Sequence, residues 1–310
     1  MIAALIASIL VTFPAENQKL PVTDRTYVIG AAETNRKERL YLNGVEVGVY
    51  RTGAFLAMVR TRPGINTIEF EQGTNTLVRR FLVASPKPVA ANAPTVKVEP
   101  PKPRNPYEDL GIPTNAVFAA KPPRGTHPSD IHVMVDAGHG GRDSGALSPR
   151  GFKEKDFNLK QALSLESELR KVGFKVTLTR GDDSFPLLYD RPRQAVREKA
   201  DLFISIHHNA TGVSGNPREV RHSVTYASND VGLELAKSVQ RQVAQAVAPV
   251  KNNGAQLKSL AVCRNPAVPS CLVEVDFINL PEGEDASMDP VRRRNVSRAI
   301  VMGVLDWLAE

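Results

Sequence analysis

With 310 residues, the chain has room for one large domain and a smaller one, or two of middle size. Its 42% hydrophobic and 24% charged residues are ordinary for a globular protein with a real core, and argue against a disordered or low-complexity chain. A net charge of +7 suits an anionic partner of some kind: nucleic acid, an anionic membrane or a wall polymer. No zinc-finger spacing, basic-region heptad or RNA-reading aromatic motif is present, so nucleic acid is set aside.

The chain opens on an uncharged apolar run, MIAALIASILVTFPA. It has the length of a secretory core and is too short for a stable membrane anchor, although the basic residues that usually precede such a core are missing. Residues 1–20 are therefore expected to be a signal peptide, with a buried N-terminal strand as the competing reading. No later segment reaches spanning length, so no stable membrane insertion is expected.

Residues 21–85 read as short strands separated by turn signals, which suits a small β-sandwich. Leu40-Tyr41-Leu42 meets Asn43-Gly44, a two-residue hairpin signal, and Val45-Glu46-Val47 follows. Further strands are expected at 54–59, 66–70 and 77–83. The pattern loosely resembles bacterial Ig-like modules. In residues 86–130 the composition changes, since 11 of the 23 prolines fall between 86 and 128. That stretch reads as a semi-rigid linker, with room for a short ordered piece near 107–117.

From residue 131 to 310, strand and helix patterns alternate, which argues an α/β domain: a mostly parallel twisted sheet with helices on both faces. Strand 133–135 is followed by a glycine-rich turn. A helix capped by Asp156 is expected to bury Leu159, Leu163 and Leu169 or Val172, and Gly173 closes it. Strand 174–179 follows, and then a helix opening at Asp190. Leu202–Ile206 reads as a central strand. A helix starting at Ser228 or Asn229 carries Val239, Val243 and Val247 on one face. Strand 271–275 and a helix over 290–308 complete the domain. The two cysteines, Cys263 and Cys271, could pair, or Cys271 could be a small buried strand residue.

Three polar residues stand out because each lies at or near a strand end, where open α/β sheets build sites. His139 sits in the Gly138–Gly141 turn and could bind a metal, act in catalysis or cap the turn. His207 ends Leu202–Ile206, where a satisfied core histidine is the plain alternative. Glu274 interrupts the apolar Leu272-Val273-Glu274-Val275. A carboxylate there is costly unless paired, hydrogen-bonded or metal-linked, and an arginine ion pair would satisfy it as well.

Five blocks in order resemble the zinc-dependent N-acetylmuramoyl-L-alanine amidases of the amidase 3 type: Val135–Gly141, Lys153–Asp156, Leu178–Arg180, Ser205–Ala210 and Leu272–Asn279. The resemblance implies that His139, Glu154 and His207 are ligands of Zn2+ and that Glu274 is the catalytic carboxylate. Two imidazoles and one carboxylate would leave a zinc position open for water, as a catalytic site requires. It also implies cleavage of the amide joining N-acetylmuramic acid to L-alanine in peptidoglycan, by an exported, wall-associated enzyme, expected here to be a monomer. Two alternatives are a non-catalytic wall-binding protein on this scaffold and a zinc peptidase of the wall.

Around these residues, His208 reads as a packing or substrate-side residue, Asp143 as a loop-shaping carboxylate, and Arg191 and Asn209 as orienting groups. His127, His132 and His222 match no block. Ala137 stands where the family commonly has proline, and Asp276 where it commonly has glycine. The segment between Asn209 and Tyr226 is too short for the occluding helical insert of some family members, so no activator acting through such an insert is expected.

Overall fold

The structure is a computed structural model and describes residues 9–34, 38–86 and 120–310. Its first part is a β module of eight strands: β1 (Ile9–Phe13), β2 (Gln18–Leu20), β3 (Arg25–Ala32), β4 (Leu40–Leu42), β5 (Val45–Val47), β6 (Ala54–Arg60), β7 (Gly64–Gln72) and β8 (Asn75–Val83). They form two sheets, ordered β1-β3-β6 and β2-β8-β7-β4-β5. Both sheets feed one core, in which Val28, Phe55, Leu40, Phe70 and Phe81 are buried. The β4–β5 hairpin turns at Asn43-Gly44 with both residues at positive φ, the backbone twist a tight hairpin requires.

One expected boundary is corrected. The stretch 9–20, assigned from the sequence to a leader, carries β1 and β2 of the module here. Ile9 and Val11 are buried in the module's core, β1 pairs antiparallel with β3, and β2 pairs parallel with β8. Alternating Ile9 and Val11 gives β1 an inward face, so the apolar run acts as a strand. Most of the expected linker, including 107–117, lies outside the described residues. By Lys121 the chain already rests on the second unit, with the ammonium 5.4 Å from the Trp307 ring centroid.

The second unit contains β9 (His132–Ala137), α1 (Glu154–Val172), β10 (Lys175–Leu178), α2 (Asp190–Arg197), β11 (Leu202–Asn209), α3 (Pro217–Val220), β12 (His222–Ala227), α4 (Asp230–Ala246), β13 (Lys251–Leu257), β14 (Ser270–Phe277), α5 (Pro281–Met288) and α6 (Pro290–Ala309). Its sheet runs β10-β9-β11-β14-β12-β13. The first four strands are parallel; β12 runs antiparallel to β14, and β13 parallel to β12. The long helices α1, α4 and α6 cover one face over a core built on Val133, Leu165, Ile204, Val239, Val273 and Trp307. The other face is covered by Ala195 of α2 and by Val262 and Cys263 of a short 3-10 turn. Cys263 and Cys271 are buried and unpaired.

In α1 the buried stripe is Phe157, Ala162, Leu165 and Leu169; Leu163 is exposed, contrary to expectation, and of the alternatives Leu169 and Val172 the first is buried and the second exposed. Two buried polar residues broke the apolar pattern. Asn158 bonds Glu154, and Gln161 donates to Arg293 O and Ser297 Oγ on α6. Asp156 is no cap either: the helix begins at Glu154, and its N-cap, Lys153, makes no side-chain cap bond.

The two units touch along a mixed seam. Tyr27, Ile29 and Leu56 pack on Phe277 and Leu280. Thr26 Oγ1 donates to Val213 O at 2.8 Å, and Thr12 Oγ1 lies 3.2 Å from the carbonyl oxygens of Ser148 and Pro149.

Candidate metal centre

The carboxyl ends of β9 and β11 and the first residue of α1 meet at one point. His139 lies two residues beyond β9, His207 near the end of β11, and Glu154 opens α1. His139 Nε2 and His207 Nδ1 both stand 3.1 Å from Glu154 Oε1, and the two rings meet edge to face at 4.9 Å. One ligand atom from each residue lies within 4.8 Å of the others, and these three residues can together hold a metal ion. Donor atoms bound 2.0–2.1 Å from a tetrahedral zinc stand roughly 3.3 Å apart, close to the two distances from the histidines to Glu154 Oε1.

The surroundings fix each group. Nδ1 of His139 donates to Asp143 Oδ2 at 2.8 Å, which leaves Nε2 as the free donor atom and orients the ring. Glu154 Oε1 accepts from Asn158 Nδ2 at 3.1 Å, and Oε2 from the Ala146 amide at 3.0 Å. Burial would raise the Glu154 carboxyl, but the two histidines outweigh it and hold it well below the usual carboxylate range. Burial lowers His139, yet Glu154 and Asp143 prevail and raise it to about 9. The cluster therefore holds a proton in a place where a cation would compete for it.

The backbone pays for this convergence. His139 adopts φ 61°, a left-handed conformation rare outside glycine. It is held there by Arg191, whose Nη2 donates to His139 O at 2.7 Å. A Cβ at Gly138 would come 2.2 Å from His207 Nε2, and one at Gly145 would come 2.6 Å from Glu154 Oε2. These glycines make room for the side chains of the cluster.

Glu274 faces His207 across the β11–β14 pair, so the two side chains share one face of the sheet. Burial is the main cause that pushes its carboxyl up to about 7, with His207 opposing and Glu154 reinforcing. Its Oε2 has no hydrogen-bond partner among the described residues. No arginine pairs with it there, so the structural ion pair weighed from the sequence does not form.

The remaining candidates separate clearly. His208 points to the opposite face, donates from Nδ1 to Asn158 Oδ1 at 2.8 Å, and is pushed down to about 4, chiefly by burial; it packs. Asn209 Oδ1 accepts from the Ala210 amide at 2.8 Å, closing its own turn. Asp143 does shape the loop, accepting from Gly145 N, but it also carries His139, which the sequence did not indicate. His127, His132 and His222 bond Ser129, Thr177 and Val220 O, away from the cluster.

Sequence reasoning missed Asp136, Asn158 and Arg180. Asp136 is fully buried and accepts from Arg191, Thr179 and Ser205 at 2.6–2.7 Å. Arg180 donates to the carbonyls of Ala137, Gly138 and Lys155. An acid inside the apolar Val133–Ala137 strand was the same signal that singled out Glu274.

Residues 133–306 match the family described as N-acetylmuramoyl-L-alanine amidase, amidase 3, over more than half the chain. The chain belongs to this amidase family. It is 33% identical over 196 residues to a probable cell wall amidase, LytH, of Staphylococcus saprophyticus, a match covering 63% of this chain and 64% of that relative. An endolysin of Bacillus phage SPP1 is 38% identical over 151 residues, which are 47% of this chain and 55% of the endolysin. The chain thus spans just under two thirds of the length of the first curated relative. Among solved structures, the catalytic domain of the amidase CwlV from Bacillus (Paenibacillus) polymyxa var. colistinus is 32% identical with a TM-score of 0.54, over 57% of this chain and 98% of that one. The amidase AmiC2 of Nostoc punctiforme gives 32% and 0.54, over 58% and 98%.

Within the amidase domain, Asp276 stands where the sequence blocks led one to expect glycine. It is fully buried and takes Arg221 bidentately at 2.8 and 2.9 Å, and Arg292 at 2.8 Å. It ties the β11–β12 connection and α6 to the strand that carries Glu274.

Proposed function

We propose that this chain hydrolyses peptidoglycan at the amide between the lactyl group of N-acetylmuramic acid and L-alanine. In this reading His139, Glu154 and His207 hold zinc, and Glu274 is the catalytic carboxylate. The observation that carries it is an unpartnered Glu274 carboxylate, facing a ligand-competent His-Glu-His cluster across one strand pair. When bound, zinc supplies Lewis acidity at the scissile carbonyl and lowers the pKa of water at its open position.

The protein's own groups then have distinct tasks. Glu274, poised near neutrality, takes a proton from the attacking water and delivers it to the departing alanine nitrogen. Asp143 keeps His139 in the tautomer that leaves Nε2 free. Arg191 and Arg180 hold the carbonyls of the glycine turn, so the His139 ring cannot drift.

The same reading makes the protein a monomer that acts on the wall outside the membrane, where its +7 charge favours an anionic polymer. No described helix is long and apolar enough to cross a membrane. It needs no activator to displace a helical insert: the β11–β12 connection carries only the one-turn α3, and its Thr211 and Val213 carbonyls accept from Tyr27 and Thr26. The β module is read as an Ig-like sandwich, supported by an N-terminal strand divided between two sheets ordered β1-β3-β6 and β2-β8-β7-β4-β5.

Mass spectrometry of digested muropeptides tests the reaction. Release of intact stem peptides beginning at L-alanine, abolished by chelation and restored by zinc, is expected. Cleavage only within peptide cross-links would overturn it.

A further inference from the structure

A cleft of about 390 Å³ lies between the β module and the amidase domain, within the size range of small-molecule sites. One wall is the rim of the metal centre. It includes Ala146, whose amide holds Glu154 Oε2, and Thr211, four residues beyond His207. The facing wall belongs to the β module: Gln18, and Phe13 stacked on Tyr27 with centroids 4.6 Å apart. None of the lining side chains is charged, in a chain with 40 basic and 33 acidic residues. Asn279 also lines the cleft. It is buried, its Nδ2 donates to Thr211 Oγ1 at 3.0 Å, and its Oδ1 has no partner among the described residues.

We propose that this cleft is a subsite for the glycan side of the substrate, taking the N-acetylated sugar ring next along the glycan from the one that bears the scissile bond. The proposal rests on the amidase reading for the identity of the polymer. A sugar ring presents an apolar face, neutral hydroxyls and an acetamide N–H. These match a lining of aromatic, amide and hydroxyl groups. A stem peptide bearing carboxylates would find no cation here. The β module is then part of the specificity apparatus, because without Phe13, Gln18 and Tyr27 the cleft has one wall.

Ala15→Trp tests this, since Ala15 lines the cleft, is exposed and lies outside the metal centre. Peptide-free tetrasaccharide of the glycan repeat is titrated calorimetrically into the full chain, with and without zinc. The wild type is expected to bind in both states, Ala15→Trp at least tenfold more weakly, and Gln18→Ala with a smaller loss in the same direction. In turnover, Ala15→Trp should raise KM for tetrasaccharide-linked peptide about tenfold with kcat unchanged, and leave a single N-acetylmuramoyl-peptide unaffected. Absence of tetrasaccharide binding to the folded wild type, equal losses on both substrates, or displacement of free stem peptide by the tryptophan would overturn the subsite. Tryptophan-sensitive sugar binding by a protein that cleaves no muropeptide would uphold the subsite and sink the amidase reading alone.

Discussion

Two carboxylates lie on the same face of the central sheet, and their surroundings could hardly differ more. At the β9 end, Asp136 is saturated by Arg191, Thr179 and Ser205; burial would raise it, but Arg191 and the hydroxyls win and lower it. At the β14 end, Glu274 keeps an unpartnered oxygen and is raised to about 7. The contrast separates an acid that builds the scaffold from one left free to exchange a proton. Satisfaction of hydrogen bonds, more than burial, is the difference.

The largest expected break in this contrast is catalytic. Glu274→Gln should lower kcat on muropeptides by about 10²–10⁴ while zinc content, measured by atomic absorption, stays at the wild-type level. A variant of unchanged kcat would remove Glu274 from the chemistry. At the other carboxylate the loss should be structural. Asp136→Ala leaves Arg191 buried without its counter-ion and should cost about 3–5 kcal/mol in urea unfolding.

Next in size is a gain. The folded Glu274 carboxyl titrates near 7, above its unfolded value near 4.5, so its ionised form costs stability. That cost is absent below pH 4.5, grows between 4.5 and 7, and is complete above 7. Metal-free Glu274→Gln should therefore be more stable than wild type at pH 8, by up to about 3 kcal/mol, and equal to it at pH 4. Equal stability at pH 8 would contradict the burial argument.

Asp143→Ala sharpens the comparison from the ligand side: zinc affinity, by competition with a chromophoric chelator, should fall about 10–100-fold. The smallest effect is a displacement of the pH profile. The acid limb of kcat/KM should lie at or below about 7, because Glu274 must be ionised and a bound cation lowers it further. A limb well above that value would assign the base elsewhere.

Much of this was legible in the sequence because the decisive residues violate their local pattern. Glu274 in an apolar strand, and His139 in a glycine turn after one, mark themselves. Polar groups that serve other polar groups do not. Asn158 and Gln161 sit at ordinary helical positions, and their buried roles depend on β11 and α6 arriving from afar. The edge strand Lys251–Leu257 is exposed or half-buried throughout and carries no apolar alternation, which hid it. The first strand was not legible as one, because an inward-facing strand of Ile9 and Val11, next to further aliphatic residues, has the composition of a secretory core.

Gly138 and Gly145 bear on how the enzyme can diversify. Any side chain at either position strikes His207, Glu154 or His139, so the turn that presents the cluster is closed to gradual change. The opposite bank of the cleft carries Ala15 and Gln18 on the turn and strand after β1, with no Cβ packed on the cluster residues, so change there leaves the metal centre untouched. An inventory of natural variants should find an invariant glycine turn, with substitutions concentrated at exposed cleft positions such as Ala15.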